Sequence, residues 1–266
     1  MRYLYLLILS LMFIGCASNK VPNYDCASIT LDSFVDSVAT RDDSSVDNFV
    51  AVLEDLFVNK NVTQLERAAA YYCLAEREIL MGNDILAIEL YNKSINHYHR
   101  HPLPYLSLAT IHEAKGDYLK ALGNIDTCIE IDDSLQIVNL IKARINLAIG
   151  EYDEALKAIY AEKDNSVDSG ASLSIEELHG DILSSLHRYE EAAVAYGVAI
   201  DVANAHSFWN DGDPPQFFPK QLSLYEKLIN AYCLAGMHDD AKNTLVDAVR
   251  RNAQINSSSL SCGGEN

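Results

Sequence analysis

Basic residues are scarce in this 266-residue chain: 20 Lys and Arg stand against 38 Asp and Glu, a net charge of −18. A surface of that sign repels nucleic acid phosphates and anionic headgroups, which excludes DNA, RNA and polybasic membrane docking. Catalytic signatures are missing too. There is no GxSxG elbow, HExxH pair, Walker loop or GxGxxG turn, so the chain is read as a non-enzyme with no cofactor and no metal. Long apolar runs are confined to the first 15 residues. With 49% apolar and 22% charged residues overall, this excludes a polytopic membrane protein and wholesale disorder alike.

The one apolar run, MRYLYLLILSLMFIG, places Arg2 before about a dozen apolar residues, the pattern of an export signal. It is short for a membrane span, which takes about 20 apolar residues. Phe13-Ile14-Gly15-Cys16 then resembles the bacterial lipobox, with Phe13 where Leu is usual. The resemblance implies that residues 1–15 are removed and that Cys16 becomes a diacylated N-terminus on a tether over 16–30, two acyl chains being enough for stable anchoring. Ala17 is not the Asp that by the same resemblance retains such proteins at the inner membrane. The expected location is therefore the outer membrane, facing the periplasm. Losing Arg2 takes the net charge to −19.

Six cysteines are present, and lipidation of Cys16 leaves an odd five. Cys73, Cys128 and Cys233 fall inside helical patterns and are expected as small buried apolar residues. Cys26 and Cys262 lie in the two tails, where a disulfide between them is possible in an oxidising compartment.

Internal spacing organises the rest. Gly82, Gly116 and Gly150 are separated by 34 residues each time, and each is followed by a short corner and then an alanine, at Ala87, Ala121 and Ala155. Weaker copies run from His187 to Ala192 and from Gly236 to Ala241. One turn later come the large residues Tyr91, Ile125, Ile159, Tyr196 and Leu245. This period resembles the tetratricopeptide repeat over about residues 68–253. The resemblance implies an all-α fold, a solenoid coiled as a right-handed superhelix of helix-turn-helix repeats, about five of them in 65–253. The Gly would cap each first helix in the left-handed region and the Ala would let paired helices approach closely. His187 in place of Gly is expected to strain or shorten its helix. The spacing grows to 37 residues before His187 and 49 after it, and the extra residues, near 160–172 and 205–221, are read as loops. Helical spacing of Phe34, Val35, Val38, Val46, Phe49, Val50, Leu53, Leu56 and Phe57 predicts capping helices over 31–64. The Ser- and Gly-rich segment 254–266 is read as a disordered tail.

In relatives of this family the first helix of each pair lines a concave surface that holds an extended or helical segment of another protein. On that register the candidate groove here comprises Tyr72, Glu76, Leu106, Thr110, Glu113, Leu140, Arg144, Glu177, Asp181, Glu226 and Asn230. Carboxylates dominate, which favours a basic or polar partner; a clamp for a C-terminal carboxylate would need Lys and Asn where this face offers chiefly Arg144. The insertion 205–221 carries Phe208, Trp209, Phe217 and Phe218 among three prolines, aromatic residues that either pack on the repeats or wait for a ligand. His97, His99 and His101 are read as a solvated repeat junction, and Asn210-Asp211-Gly212-Asp213 as a turn. The expected function is a non-catalytic, membrane-anchored scaffold that recruits envelope proteins. The alternative is a lipoprotein capturing peptide or glycan through the aromatic insertion.

Overall fold

The computed structural model describes residue 58 and residues 63–135, 137–165, 169–205, 219–251 and 262. Among the described residues are ten α-helices and no strand. The chain divides between Leu135 and Gln136 into two compact units. The first holds α1 (Gln64–Met81), α2 (Asp84–His97), α3 (Pro102–Ala114) and α4 (Tyr118–Ile131). The second holds α5 (Val138–Ile149), α6 (Tyr152–Asn165), α7 (Ser169–Ser185), α8 (Tyr189–Ala205), α9 (Pro219–Leu234) and α10 (His238–Arg251). Within each unit, helices consecutive in sequence pack against one another. The expected all-α fold of helix-turn-helix repeats is the fold observed.

Each hairpin turns in the same way. Gly82, at φ 82°, ends α1 while its N–H donates to Ile79 O and the Asn83 N–H donates to Glu78 O. This pair of bonds satisfies two carbonyls that the helix end would otherwise strand. Gly116, Gly150 and Gly236 repeat it at φ 78°, 85° and 76°. His187 repeats it as well, at φ 59°, with its own N–H on Ser184 O and that of Arg188 on Leu183 O. The substitution therefore leaves the cap in place and does not shorten α7, which has 17 residues against 13 in α3 and 12 in α5. It puts a β-carbon in a region that costs an L-residue about 1 kcal/mol.

The alanine of each corner follows from the packing. Ala87, Ala121, Ala155 and Ala192 are 0% exposed, because the two helices of each hairpin meet there. The large residues one turn on, Tyr91, Ile125, Ile159 and Tyr196, are buried, and Leu245 is packed against the core of the second unit. Helix starts are equally legible: Thr63 and Glu66 form a reciprocal capping box for α1, and Pro102 opens α3 at a position whose N–H has no helical partner in any case.

Two expectations need correction. The extra residues near 160–172 are not simply loops, while residues 206–218 of the later insertion lie outside the described residues. Residues 160–165 and 169–172 are helical, and α8 runs for 17 residues against 14 in α2, α4 and α6. Added residues lengthen the helices because Ser169–Ser185 and Tyr189–Ala205 keep their helical spacing throughout. Cysteine pairing also differs. Cys262 bonds to Cys233, with Cα atoms 5.4 Å apart, and Cys73 is disulfide-bonded too. Only Cys128 behaves as expected among the described cysteines, a buried free thiol whose pKa burial pushes up to about 12.

The signal 1–15, Cys16 and its tether, Cys26, the capping segment 31–62 apart from Val58, Asn210 to Asp213, Phe208, Trp209, Phe217, Phe218 and the segment from 254 apart from Cys262 lie outside the described residues. No helix among the described residues is long and apolar enough to cross a membrane.

Candidate interaction surface

The first-helix residues singled out from the sequence divide sharply by unit. In the first unit most of them are core. Tyr72 is 5% exposed and meets the ring of His101 edge-on at 5.3 Å. Leu106 is 2% exposed, and Thr110, 8% exposed, donates its hydroxyl to Leu106 O within its own helix. Glu76 is drawn into the seam between three helices. Its carboxylate accepts from Tyr91 Oη of α2 at 2.5 Å and from Ser107 Oγ of α3 at 2.9 Å. Burial raises its pKa, and the hydrogen bonds from Tyr91, Ser107 and Tyr72 offset that only in part. Glu113 is half-buried near the end of α3.

His101 belongs to this core rather than to a solvated junction, and His97 is half-buried. His97 stacks on Tyr71 at 5.3 Å with its Nδ1 2.7 Å from Gln64 Oε1. His101 is 0% exposed, and burial holds its pKa down at about 4. Of this run, His99 and Arg100 are the exposed members. The rise into Pro102 turns His101 inward, because Pro102 starts a helix there. Among the described residues no group of three His, Cys, Asp or Glu is placed to hold a metal.

The second unit keeps a polar face. Leu140 and Arg144 of α5 are half-buried. Glu177 and Asp181 lie one turn apart on α7, and Lys227 of α9 reaches both, with Nζ 3.0 Å from Glu177 Oε1 and 2.8 Å from Asp181 Oδ2. Burial pulls the Lys227 pKa down, but the two carboxylates outweigh it and hold it above the ordinary lysine value. Tyr196 of α8 donates to Asp181 Oδ1 at 2.8 Å beneath the ammonium, which sits 5.9 Å from the ring centroid. Glu226 and Asn230, on α9, are exposed.

Lys227 is the residue of this face that the sequence reading missed. A groove read as chiefly acidic is partly neutralised from within, and its free charge moves to Glu226. The signal was available: Lys227 is one residue from Glu226 in the first helix of the last hairpin, yet only the packing of α9 beside α7 and α8 brings it to Glu177 and Asp181. A second polar cluster, Lys163, Glu176 and His179, joins α6 to α7. Lys163 Nζ donates to Glu176 Oε2 at 2.8 Å and lies 2.9 Å from His179 Nδ1. Burial disfavours the Glu176 carboxylate, but the hydrogen bonds from His179 and Lys163 win and lower its pKa.

A family described as "Tetratricopeptide repeat-like domain" matches residues 55–211. No curated protein matches the sequence. Among solved structures, a crystal structure of the MamA protein is similar with a TM-score of 0.60 at 16% identity, over 71% of this chain and 93% of that one. MamA from Desulfovibrio magneticus RS-1 gives 0.58 at 17% identity, over 71% and 98%. Pseudomonas aeruginosa PilF gives 0.55 at 14% identity, over 76% and 79%. At these identities the likeness is one of fold.

Proposed function

This chain belongs to the tetratricopeptide repeat-like family, and from that premise we propose that it is a non-catalytic scaffold, held at a bacterial membrane by lipid on Cys16, that recruits envelope proteins. The observation that carries the binding half of this reading is the polar first-helix face of the second unit. There Glu226 and Asn230 are exposed beside the half-buried Glu177, Asp181 and Lys227. Such a face offers carboxylates, an amide and one ammonium held at fixed spacing by packed helices. It suits a polar or basic segment of another protein, and the acidic net charge, −19 once residues 1–15 with Arg2 are removed, steers that segment in.

The anchoring half rests on the sequence Phe13-Ile14-Gly15-Cys16 after an apolar run. The disulfides at Cys233–Cys262 and Cys73 support it, because such bonds persist in exported proteins and are rare in a reducing cytosol. The proposed location is the periplasmic face of the outer membrane.

A photo-crosslinking residue at Asn230 tests recruitment in intact cells. The expected product is one defined envelope protein, reduced by Glu226→Lys; a smear indistinguishable from that of a probe at exposed Leu119 would end the proposal. Cys16→Ser tests the anchor separately, since the protein should leave the membrane fraction, and its persistence there would refute lipid attachment.

A further inference from the structure

The last described helix is weakly held by packing alone. Helix α10 packs on α9. The residues it buries completely or nearly so are two alanines, Ala241 and Ala248, while Leu245 and Val249 are only partly covered and Val246 is 50% exposed. By comparison α4 buries Ala121, Ile125 and Cys128. Apolar burial scales with area, so alanines contribute little.

A covalent tie makes up the difference. Cys233 stands one turn before the Gly236 corner, and Cys262, eleven residues beyond Arg251, bonds to it across a sequence separation of 29. The closed loop contains the whole of α10. Cys262 also packs against the apolar core to which Ala231 of α9 and Ala241 and Ala248 of α10 belong. Both residues of this disulfide are only partly buried, whereas Cys128 is 0% exposed.

We propose that the Cys233–Cys262 disulfide is a thiol-controlled latch on the α9–α10 hairpin: oxidised, it holds α10 against α9; reduced, it lets α10 fray and uncovers the apolar side of α9. The chemistry is an exchange with a dithiol. One thiolate of the reductant attacks Sγ of either cysteine, the other cysteine leaves as a thiolate, and the reductant's second thiol displaces the first cysteine. Two electrons and two protons pass to the chain, giving two Cys thiols, and the dithiol becomes a cyclic disulfide. Oxidation is the reverse reaction with a disulfide oxidant. The latch therefore links the order of the hairpin that carries Glu226 and Asn230 to the redox state of the compartment.

Hydrogen exchange on the full-length chain tests this, with dithiothreitol as the dithiol and Cys233→Ala/Cys262→Ala as the genetic counterpart. The double variant is needed because dithiothreitol also reduces the bond at Cys73. Exchange across 238–251 should be at least about tenfold faster in the variant, as expected when a loop of this size is released, with α7 and α8 unchanged. Reduced wild-type protein should match the variant in α10, and reduced against oxidised wild-type protein is the comparison that decides if the variant fails to fold. Unchanged exchange in α10, equal acceleration throughout α7 and α8, or peptide mapping that finds Cys233 and Cys262 unlinked in protein prepared without reductant would each overturn the latch.

Discussion

Tyr196 donates its hydroxyl to Asp181 at 2.8 Å, and Tyr91 makes the same bond to Glu76, each tyrosine reaching the carboxylate fifteen residues before it. Both pairs sit six residues before and nine after their corner residues, His187 and Gly82. The same two places hold Thr110 and Ile125 in the second hairpin and Arg144 and Ile159 in the third. A tyrosine–carboxylate lock thus joins the two helices of the first and fourth hairpins. It consumes carboxylates that a reading of the groove alone would have left for a partner.

The fourth lock depends on Gly180. A β-carbon there would meet the Tyr196 ring at 2.5 to 2.8 Å. Gly180→Ala should therefore cost about 1–3 kcal/mol, as overpacking does. Adding Tyr196→Leu should recover part of the loss, so that the two substitutions are non-additive in urea unfolding. Additive losses would show that the ring yields freely.

His187→Gly should stabilise the protein. Removing a β-carbon from a left-handed cap is worth about 1 kcal/mol, reduced by whatever the His187 Nδ1 to Tyr189 Oη contact at 2.6 Å contributes. Thermal unfolding should move up by about 2–4 °C, the shift expected for 1 kcal/mol in a chain of this size. A fall in Tm would mean that the contact outweighs the backbone strain.

Acid should weaken the first unit through His101. Its folded pKa of about 4 lies below the ordinary histidine value of 6.5. Between those values the unfolded chain binds the proton and the folded chain does not, so stability is full above pH 6.5 and is lost as pH falls towards 4. The loss amounts to about 3 kcal/mol at most. His101→Leu should abolish this part of the pH dependence in urea titrations from pH 7 to 4. Glu76 acts in the opposite direction over the carboxylate range. Its raised pKa makes stability fall as pH rises through it, and Glu76→Gln should remove that slope.

Recognition should respond to Glu226 more cleanly than to Glu177. Glu177→Lys would oppose Lys227 at 3.0 Å and disturb α7 against α9, confounding binding with folding. Glu226→Lys changes an exposed charge, so partner affinity should fall severalfold with salt-dependent kinetics and unchanged Tm. If instead a small ligand is captured by the aromatic insertion, Trp209→Ala should abolish its binding and leave the protein partner bound. Calorimetric titration reads the loss in the variant, and in the unsubstituted protein the fluorescence of that tryptophan, the single one in the chain, should shift when the ligand binds.

The sequence by itself determined the repeat. A 34-residue period, glycine at φ near 80° and alanine at the closest approach are demands of one corner and one hairpin, met within a few turns of chain, so they appear as local spacing. What only the tertiary structure decided are meetings between separate helices. Lys227 on Glu177 and Asp181, Cys262 on Cys233, Glu76 between Tyr91 and Ser107, and the burial of His101 each depend on which faces stack. A hydrogen bond, an ion pair or a disulfide is set by a few ångströms in space. Residues 46 or 31 positions apart in sequence acquire that distance only when the hairpins pack.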